Sequence, residues 1–518
     1  MDTLREFALS HPQKFAARAV DGGDSLTYGD LDRRSAKLAR HLISLGLDAG
    51  EAVAILMGNT LRYFEVAWAA RRAGLFYVPI SSHLNSAEAS YIIEDSGAKV
   101  IFVSESLVDL IDAMEPSLRD KLKVVVVDDR PTFSSSSSYA AIVESDGFPS
   151  DLPDRPVGMD FAYSSGTTGR PKGIKPKILG PAQLKQLLAA DWLKFLKLTP
   201  EAVYLSPAPL YHAAPLRFSM RCIMAGGTVL VMSKFDARRA LEVIEQYRVT
   251  HSQWVPTMFA RMLALPQEVR DAFDHSCMQI ALHAAAPCPK DVKLKMMEWW
   301  GPIIWEYYSG SERNGATVIS PDEWIAHQGS VGRAASGEIR IVGEDGSMCS
   351  PRKEGLVYFA NGPAFEYHND PTKTAEAFNE QGWSTIGDIG YVDEEGFLYL
   401  TDRRSNMIIS GGVNIYPQEA ENVLQAHPAV ADVAVFGTPH PDFGEQVVAV
   451  VQLSEGCAES EALAQELIDF CRSQLAHFKC PRKVDFVKDL PRTETGKLLK
   501  RVARDQYRAR LLAIEAKN

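Results

Sequence analysis

The chain contains few cysteines and no excess of positive charge, and each shortage excludes a class of protein. Its seven cysteines among 518 residues are odd in number, widely scattered and without a C-x-x-C pair, which argues against a disulfide framework and a zinc site. With 55 basic and 66 acidic residues the net charge is -11, so broad electrostatic binding to nucleic acid or to an anionic membrane is not expected. We therefore predict reduced thiols and no nucleic-acid partner.

Long apolar runs are also missing. No stretch reaches the roughly 18 consecutive apolar residues that a membrane-spanning helix requires. The first residues lack the basic-then-apolar order of a secretion signal. The sequence accordingly predicts a soluble, cytoplasmic protein without a membrane span.

What the chain does contain is an alternation of short apolar runs and helical patterns. Leucines recur at helical spacing between residues 27 and 46, behind a Thr27-x-x-Asp30 start signal, and an apolar run at 53–57 follows. Residues 237–247 form another helical pattern. Such alternation predicts an α/β fold with layered, largely parallel sheets. Further predicted strands are residues 76–80, 99–103, 124–127, 228–232 and 278–283.

The chain is too long for one hydrophobic core, and its pattern changes after about Arg404. The later pattern is compact and predicts a small α+β domain of ~110 residues. We therefore expect a large N-terminal body of several subdomains, residues 1–404, and a small C-terminal domain, residues 405–518. The elements predicted in the small domain are helices near 419–426 and 461–475 and strands near 430–436, 446–453 and 484–487.

A segment rich in glycine and hydroxyl residues surrounds Lys172. Backbone N–H groups and hydroxyls of such a segment can close around phosphate oxygens, and Lys172 adds a positive charge. The P-loop pattern G-x-x-x-x-G-K-[ST] is absent here. A plain flexible turn is the competing interpretation of a glycine-rich loop taken alone. The residues predicted to bind phosphate are Ser164, Ser165, Gly166, Thr167, Thr168, Gly169 and Lys172.

The full string from Tyr163 to Gly173 resembles the signature Y-[TS]-S-G-T-T-G-x-P-K-G of the adenylate-forming superfamily. That superfamily contains acyl-CoA synthetases, adenylation domains of peptide synthetases and luciferases. The resemblance spans nearly the whole chain, because further motifs follow in the order of the family. They are Ala284-Ala285-Ala286-Pro287, Trp305-Glu306-Tyr307-Tyr308-Ser309-Gly310-Ser311-Glu312, Gly382-Trp383 with Gly387-Asp388, Asp402-Arg403, Ser410 to Pro417, and Pro491-Arg492-Thr493 with Gly496-Lys497.

The resemblance implies roles in nucleotide binding for several of these residues. Glu312 matches a glutamate that helps to hold Mg²⁺, and Asp388 matches the aspartate that accepts the ribose hydroxyls. Arg403 matches an arginine that contacts ribose and phosphate, and Tyr308 is expected against the adenine ring. Taken alone, each has an ordinary structural interpretation as a surface charge, a turn residue or a core aromatic. The motifs also place Ala285, Ala286, Tyr307, Ser309 and Ser311 at the nucleotide.

The resemblance implies that Lys497 is the main catalytic residue, bridging the carboxylate and the α-phosphate during adenylation. His212 matches a gate between the nucleotide and acyl pockets, although a satisfied core histidine is the competing interpretation. Gly411 and Gly412 match a segment that borders the pantetheine channel of CoA ligases. Residues 254–257 and 283–287 are expected to line the acyl pocket or to belong to the core.

The resemblance as a whole implies an ATP-dependent ligase that forms an acyl-adenylate with Mg²⁺ and passes the acyl group to CoA. The sequences of the motifs are similar to those of fatty-acyl-CoA ligases, but Arg313-Asn314 after Glu312 differs from the residues that are usual in that branch. One alternative is an amide-forming enzyme similar to coronafacate ligase, with an amino acid as the acceptor. Another is a non-catalytic sensor of nucleotide or acyl groups. In the family the small domain is mobile and rotates about a hinge residue that is usually Asp or Lys. The hinge position in this sequence is Ser405.

Overall fold

The computed structural model describes residues 3–128, 137–145, 152–164, 171–178, 180, 192–410, 413–493 and 498–515. Within these ranges, sheets covered by helices build a large N-terminal domain, and a second, smaller unit follows at the C-terminal end. The predicted α/β class with a large and a small domain is confirmed. Among the described residues no helix is long and apolar enough to cross a membrane.

The largest sheet has nine strands and carries one of the predicted nucleotide-binding strands, Ile304–Ser309. Its central strands run parallel, and antiparallel strands close both edges. Helices connect the parallel strands, as right-handed crossovers require. The strands in spatial order are Arg333–Ser336, Ala316–Ile319, Ile304–Ser309, Ile280–His283, His251–Trp254, Val203–Ser206, Thr228–Val231, Phe15–Ala19 and Ser25–Thr27.

A second sheet of five strands is parallel throughout, which explains why its four longer strands are short and mostly apolar runs. Beside it lies a two-stranded hairpin, Ala162–Ser164 with Lys172–Ile174, at the predicted phosphate segment. The five strands in spatial order are Phe76–Pro79, Ala52–Leu56, Val100–Val103, Lys123–Val126 and Ser137–Ser138.

The third sheet was not expected from the sequence, because all of its four strands are antiparallel. Two of its strands, Glu338–Val342 and Leu398–Arg403, are only half buried and lack the continuous apolar runs that revealed parallel strands. Asp388 begins one strand and pairs in register with Arg403, which ends the next. The strands are Glu338–Val342, Gly355–Ala360, Asp388–Val392 and Leu398–Arg403.

The C-terminal sheet follows the predicted order of elements closely, with two long antiparallel strands and a parallel one. A hairpin, Ile408–Ser410 with Val413–Ile415, extends one edge and was not expected. The longer strands and helices are Val430–His440, Gly444–Leu453, Lys483–Val487, Pro417–Gln425, Glu461–Arg472 and Lys500–Glu515.

Several helices of the N-terminal domain begin where the sequence supplies capping side chains. The hydroxyl of Thr27 accepts the N–H of Asp30, and Asn85 with Glu88 forms a capping box. The bounds of Ala237–Tyr247 coincide with the prediction. The helices are Thr3–Ser10, Tyr28–Ser44, Arg62–Arg72, Ser86–Ser96, Val108–Asp112, Pro116–Arg119, Tyr139–Glu144, Ala213–Met224, Ala237–Tyr247, Pro256–Leu263, Gln267–Asp271, Lys290–Trp300, Pro321–Ala326 and Pro371–Glu376, with short 3₁₀ helices at Glu105–Leu107, Trp192–Leu196, Arg404–Asn406 and His477–Lys479.

A buried cluster of ion pairs connects Asp160, just before the strand Ala162–Ser164, to the turn that carries Glu312. Asp160 accepts two hydrogen bonds from Arg217, at 2.9 Å and 2.7 Å, and pairs on its other oxygen with Arg313. Burial alone would raise the pKa of Asp160, but the two guanidinium groups outweigh it and hold the pKa well below its usual range. Arg313 has a φ of 58°, a left-handed conformation that favours glycine. The ion pair therefore anchors a strained turn directly after Glu312.

Substitutions of Asp160 and of Arg313 are expected to lower the free energy of unfolding by unequal amounts. Asp160→Asn should lower the free energy of unfolding by about 3–5 kcal/mol, because two guanidinium groups lose their buried partner. Arg313→Gly should cost less than about 1.5 kcal/mol, because glycine relieves the left-handed backbone and Asp160 keeps Arg217. Urea denaturation of both variants and the wild type measures the difference. Equal losses in the two variants would contradict this account of the turn.

Candidate functional site

The predicted phosphate segment is held by the hairpin at its two ends. Ser164 and Lys172 are paired in register on the two strands, and the residues between them, 165–170, lie outside the described residues. Gly173 follows Lys172 beneath two aromatic rings. A Cβ there would lie 2.8 Å from Tyr163 Cζ and 2.9 Å from Phe161 Cε2, so only glycine fits. The close packing of this glycine fixes the strand that presents Lys172.

Asp388 joins two of the predicted nucleotide residues. The hydroxyl of Tyr308 donates to Asp388 Oδ2 at 2.5 Å, and Arg403 Nε donates to Asp388 Oδ1 at 3.1 Å. Burial first, and then the Asp388 carboxylate, raise the pKa of Tyr308, so its hydroxyl stays a neutral donor. The structure thus brings together residues from two sheets that the sequence separates by 95 positions. Each carboxylate oxygen keeps lone pairs that a pair of ligand hydroxyls can reach.

Glu312 lies at the end of the strand that carries Tyr308. Its Oε1 accepts the hydroxyl of Tyr367 at 2.9 Å, and the ring of Tyr367 lies 5.1 Å from Lys172 Nζ. Tyr367 therefore links the phosphate lysine to the carboxylate, a role that sequence reasoning missed. The sequence carried no signal for it, since an isolated tyrosine in a loop resembles any other. No group of three or more acidic, His or Cys side chains that could hold a metal occurs in the part of the chain described.

The remaining residues of the strand Ile304–Ser309 divide between its two faces, as strand geometry requires. Tyr307 turns away from Tyr308, accepts a hydrogen bond from Gln253 Nε2 at 2.9 Å and packs 5.6 Å from the Phe218 ring. Ser309 donates to the carbonyl of Gly315 at 2.7 Å and so closes the turn that follows. Tyr307 is therefore placed with the buried core, beside rather than on the surface that Tyr308 shares with Asp388.

The turn after the strand Ile280–His283 is more open than the strand itself. Ala285 has a φ of 78° and is exposed, and Ala286 is half buried. Trp254 and His283, which were candidates for the acyl pocket, lie fully inside the core.

His212 caps the start of the helix Ala213–Met224, and its ring lies 4.5 Å from that of Tyr211. Its carbonyl accepts the first backbone bond of the helix, from Leu216. The backbone carbonyl of Ser311 accepts a long contact of 3.5 Å from Arg217, on the same helix. The helix that begins at His212 is therefore connected to the Glu312 turn. Lys497, Gly411, Gly412, Ser165, Gly166, Thr167, Thr168 and Gly169 lie outside the described residues.

Asp402, next to Arg403, connects the antiparallel sheet to the C-terminal domain. Its carboxylate accepts the N–H of Gln418 and the side-chain amide of Asn406, both at 2.9 Å. Lys500 lies 3.6 Å from the same carboxylate and 2.9 Å from that of Glu421. The start of the last helix, three residues beyond Lys497, is thereby tied to the strand that ends at the site.

Two family models match the chain. The model of the AMP-binding enzyme matches residues 4–365, and that of the AMP-binding enzyme C-terminal domain matches residues 419–497. The first model alone covers more than half of the chain. The two matches follow the division into a large and a small domain.

Relatives and solved structures match along nearly the whole length. The long-chain-fatty-acid–CoA ligase FadD13 of Mycobacterium tuberculosis is 31% identical, over 98% of this chain and 98% of its own. The feruloyl-CoA synthase of an Amycolatopsis species is 33% identical, over 94% of this chain and 95% of its own. The structure of the amide bond synthetase McbA from Marinactinospora thermotolerans has a TM-score of 0.82 at 25% identity, covering 98% of this chain and 99% of that one. The motifs, the two-domain fold and these matches agree, and the chain belongs to the AMP-binding enzyme family.

Proposed function

We propose that this protein is an ATP-dependent carboxylic acid ligase that forms an acyl-adenylate and then transfers the acyl group to CoA. The observation that carries the proposal is the convergence of Lys172, Tyr308, Glu312, Asp388 and Arg403 on one site, through Tyr367 and the Asp388 carboxylate. Lys172, Tyr308 and the pair of Asp388 with Arg403 come from three separate sheets, and Glu312 comes from the turn that follows the strand of Tyr308. The CoA ligases among the relatives support CoA as the acceptor.

In the first half-reaction, an oxygen of the substrate carboxylate bonds to the α-phosphorus of ATP. The bond from that phosphorus to the β-phosphate oxygen breaks, and the electron pair leaves with pyrophosphate. We assign Asp388 to the ribose hydroxyls, Tyr308 to the adenine ring, and Arg403 and Lys172 to the phosphates. Lys497 neutralises the charge that develops between the carboxylate and the α-phosphate, which is where a fixed cation lowers the barrier most.

The residues present fit a magnesium ion with few protein ligands. Mg²⁺ in nucleotide sites is held by one or two carboxylates together with phosphate oxygens and water. Glu312 supplies one such carboxylate, and the hydroxyl of Tyr367 orients its Oε1. When bound, the ion would neutralise negative charge on the phosphates. Glu312 would determine where the ion is held.

In the second half-reaction, the thiol of CoA attacks the acyl carbonyl carbon, and AMP leaves with its carboxylate-derived oxygen. We propose that residues 405–518 rotate about Ser405 between the two steps, withdrawing Lys497 and bringing Gly411 and Gly412 to the acyl-adenylate. Gating by domain closure is an established way to separate two chemical steps. The contacts of Asp402 with Gln418 and Lys500 stabilise the arrangement seen here.

An amide-forming ligase is the second candidate, with an amine as the nucleophile in place of the thiol. The amide bond synthetase McbA, whose structure matches over 98% of this chain, favours this possibility. The two candidates share the first half-reaction and differ only in the acceptor.

Adenylation predicts that pyrophosphate is released only when ATP, Mg²⁺ and a suitable acid are all present. A panel of fatty, aromatic and dicarboxylic acids, with CoA or amino acids added in turn, should identify an acid that gives pyrophosphate and a product of matching mass. Reactions without acid are the control. If no acid releases pyrophosphate above that control, the ligase proposal is wrong, and amide without thioester would replace CoA by an amine.

The rotation model predicts a split between the two half-reactions. Lys497→Ala should slow adenylation at least about 100-fold, because a charge at the reacting oxygens is lost. It should leave thioester formation from presynthesised acyl-AMP nearly unchanged, since Lys497 has been withdrawn in that step. Lys488→Ala, at an exposed lysine of the same domain, is the control and should affect neither step. Equal loss of both steps in Lys497→Ala would argue against rotation.

A further inference from the structure

Four buried side chains on one side of the nine-stranded sheet each leave a polar atom without a hydrogen-bond partner among the described residues. An unpaired buried polar atom is costly and therefore rare in folded proteins. All four side chains are at least nine-tenths buried, and none has a role in the site described above. The atoms are Tyr204 Oη, Ser206 Oγ and Gln253 Oε1 on two neighbouring strands, and Ser219 Oγ on the helix Ala213–Met224.

The two strands present these side chains on the same face of the sheet. Tyr204 is paired in register with His251, and Ser206 and Gln253 each follow two positions later on their own strand. Residues two positions apart on a strand point to the same face. Gln253 Nε2 donates to the hydroxyl of Tyr307 at 2.9 Å, so Tyr307 lies on this face as well. The polar side chains of three strands therefore meet here.

The helix Ala213–Met224 packs against the strands of Tyr204 and of its neighbour Thr228–Val231. Burial first, and then the neighbouring Tyr307 and Cys222, raise the pKa of Tyr204, so its hydroxyl is neutral and close to this helix. Ser219 lies one turn before Cys222 and on the same side of the helix. The side chains of Tyr204, Ser206, Ser219 and Gln253 thus lie between helix and sheet, and we refer to them as the polar cluster.

The polar cluster lies beside the proposed nucleotide site. Tyr307, which contacts Gln253, directly precedes Tyr308, and the hydroxyl of Tyr308 donates to Asp388. The other side chains around the cluster are apolar. Small-molecule sites commonly combine apolar walls with a few polar groups that fix the orientation of the ligand. The apolar neighbours in the same buried core are Leu216, Phe218, Val231 and Leu282.

The chemistry of the polar cluster favours an uncharged ligand group. Its side chains are three hydroxyls and one amide, and none of them carries a charge. Arg217, whose charge acts on Tyr307, is already engaged by Asp160. A charged ligand group would be buried here without a counter-ion, and a plain hydrocarbon would leave the polar atoms unpaired. A hydroxyl both donates and accepts hydrogen bonds and so matches these atoms.

We infer that the polar cluster binds an uncharged hydroxyl group at the far end of an otherwise apolar carboxylic acid. The inference rests on the proposed function and names the class of its acid. A site whose buried polar groups pair with a substrate hydroxyl discriminates against the analogue that lacks this hydroxyl. Ordered water is the competing occupant of such atoms. Aromatic and aliphatic acids can both carry the hydroxyl.

Pyrophosphate release with matched pairs of acids tests this inference. The pairs are phenylpropanoic acid with its para-hydroxy derivative, and octanoic acid with its omega-hydroxy derivative, which separate an aromatic from an aliphatic substrate. In at least one pair the hydroxylated acid should have the higher kcat/KM by at least about fivefold, because its analogue leaves buried polar atoms unpaired. A smaller or inverted ratio in both pairs would mean that water, and not substrate, satisfies these atoms.

The double variant Ser206→Ala with Ser219→Ala should bring this ratio close to one, because two hydroxyls that pair with the substrate are lost. The melting temperature should not fall, since neither hydroxyl has a described partner. Ser252→Ala is the matched control, because Ser252 lies on the strand of Gln253, faces the other side and accepts the indole N–H of Trp254. It should leave the ratio unchanged. A ratio that the double variant also leaves unchanged contradicts the inference.

Gln253→Met removes the amide, keeps the length of the side chain and should lower the ratio in the same direction. This variant decides the matter if the double variant proves unstable in thermal denaturation. Preference for the unsubstituted acids overturns the class of acid and leaves the ligase proposal intact. If no acid releases pyrophosphate, the ligase proposal is wrong, and calorimetric titration with the same pairs then tests the polar cluster directly. Equal binding of both members of each pair would overturn this inference as well.

Discussion

The carboxylate of Asp388 is the contact on which the arrangement of the site depends. It is buried, and each of its oxygens accepts a donor from a different sheet, Tyr308 from the nine-stranded sheet and Arg403 from the antiparallel one. A buried carboxylate without donors is costly, so these two sheets are held together at this point. We assign the same three residues to the nucleotide. The contacts that hold the two sheets together are therefore also those of the proposed nucleotide site.

The strand that ends at Arg403 also determines how the small domain is attached. Neighbouring residues of a strand point to opposite faces, so Arg403 reaches into the site while Asp402 reaches the C-terminal domain. Asp402 contacts Gln418 and Lys500, and Lys500 in turn contacts Glu421. Rotation about a pivot at Ser405 would have to break the contacts that cross it. Among the described residues, polar contacts of Asp402 and Lys500 therefore cross the proposed hinge.

Local pattern was sufficient to predict four strands of the parallel five-stranded sheet and several helices, because continuous apolar runs and capping residues are encoded within a few positions. The helix Ala237–Tyr247 and its cap at Asp236 are an example. The antiparallel sheet was missed, and two of its strands, Glu338–Val342 and Leu398–Arg403, are half buried and carry no such runs. The partners of Asp160 could not be predicted either, since Arg313 lies 153 positions away along the chain. Motif resemblance predicted Asp388 and Glu312 as site residues, but the contacts of Tyr367 with Glu312 and Lys172 depend on tertiary placement.

The charge of the whole chain gives these local cations a further importance. A net charge of -11 opposes the approach of a polyanionic nucleotide at long range. At physiological ionic strength such repulsion is screened beyond about 8 Å. At shorter range, Lys172 and Arg403 are the cations that we assign to the nucleotide, beside the carboxylates of Glu312 and Asp388. Selection of a nucleotide must therefore rest on short-range, geometrically fixed contacts, which is what the rigid hairpin and the Asp388 junction provide.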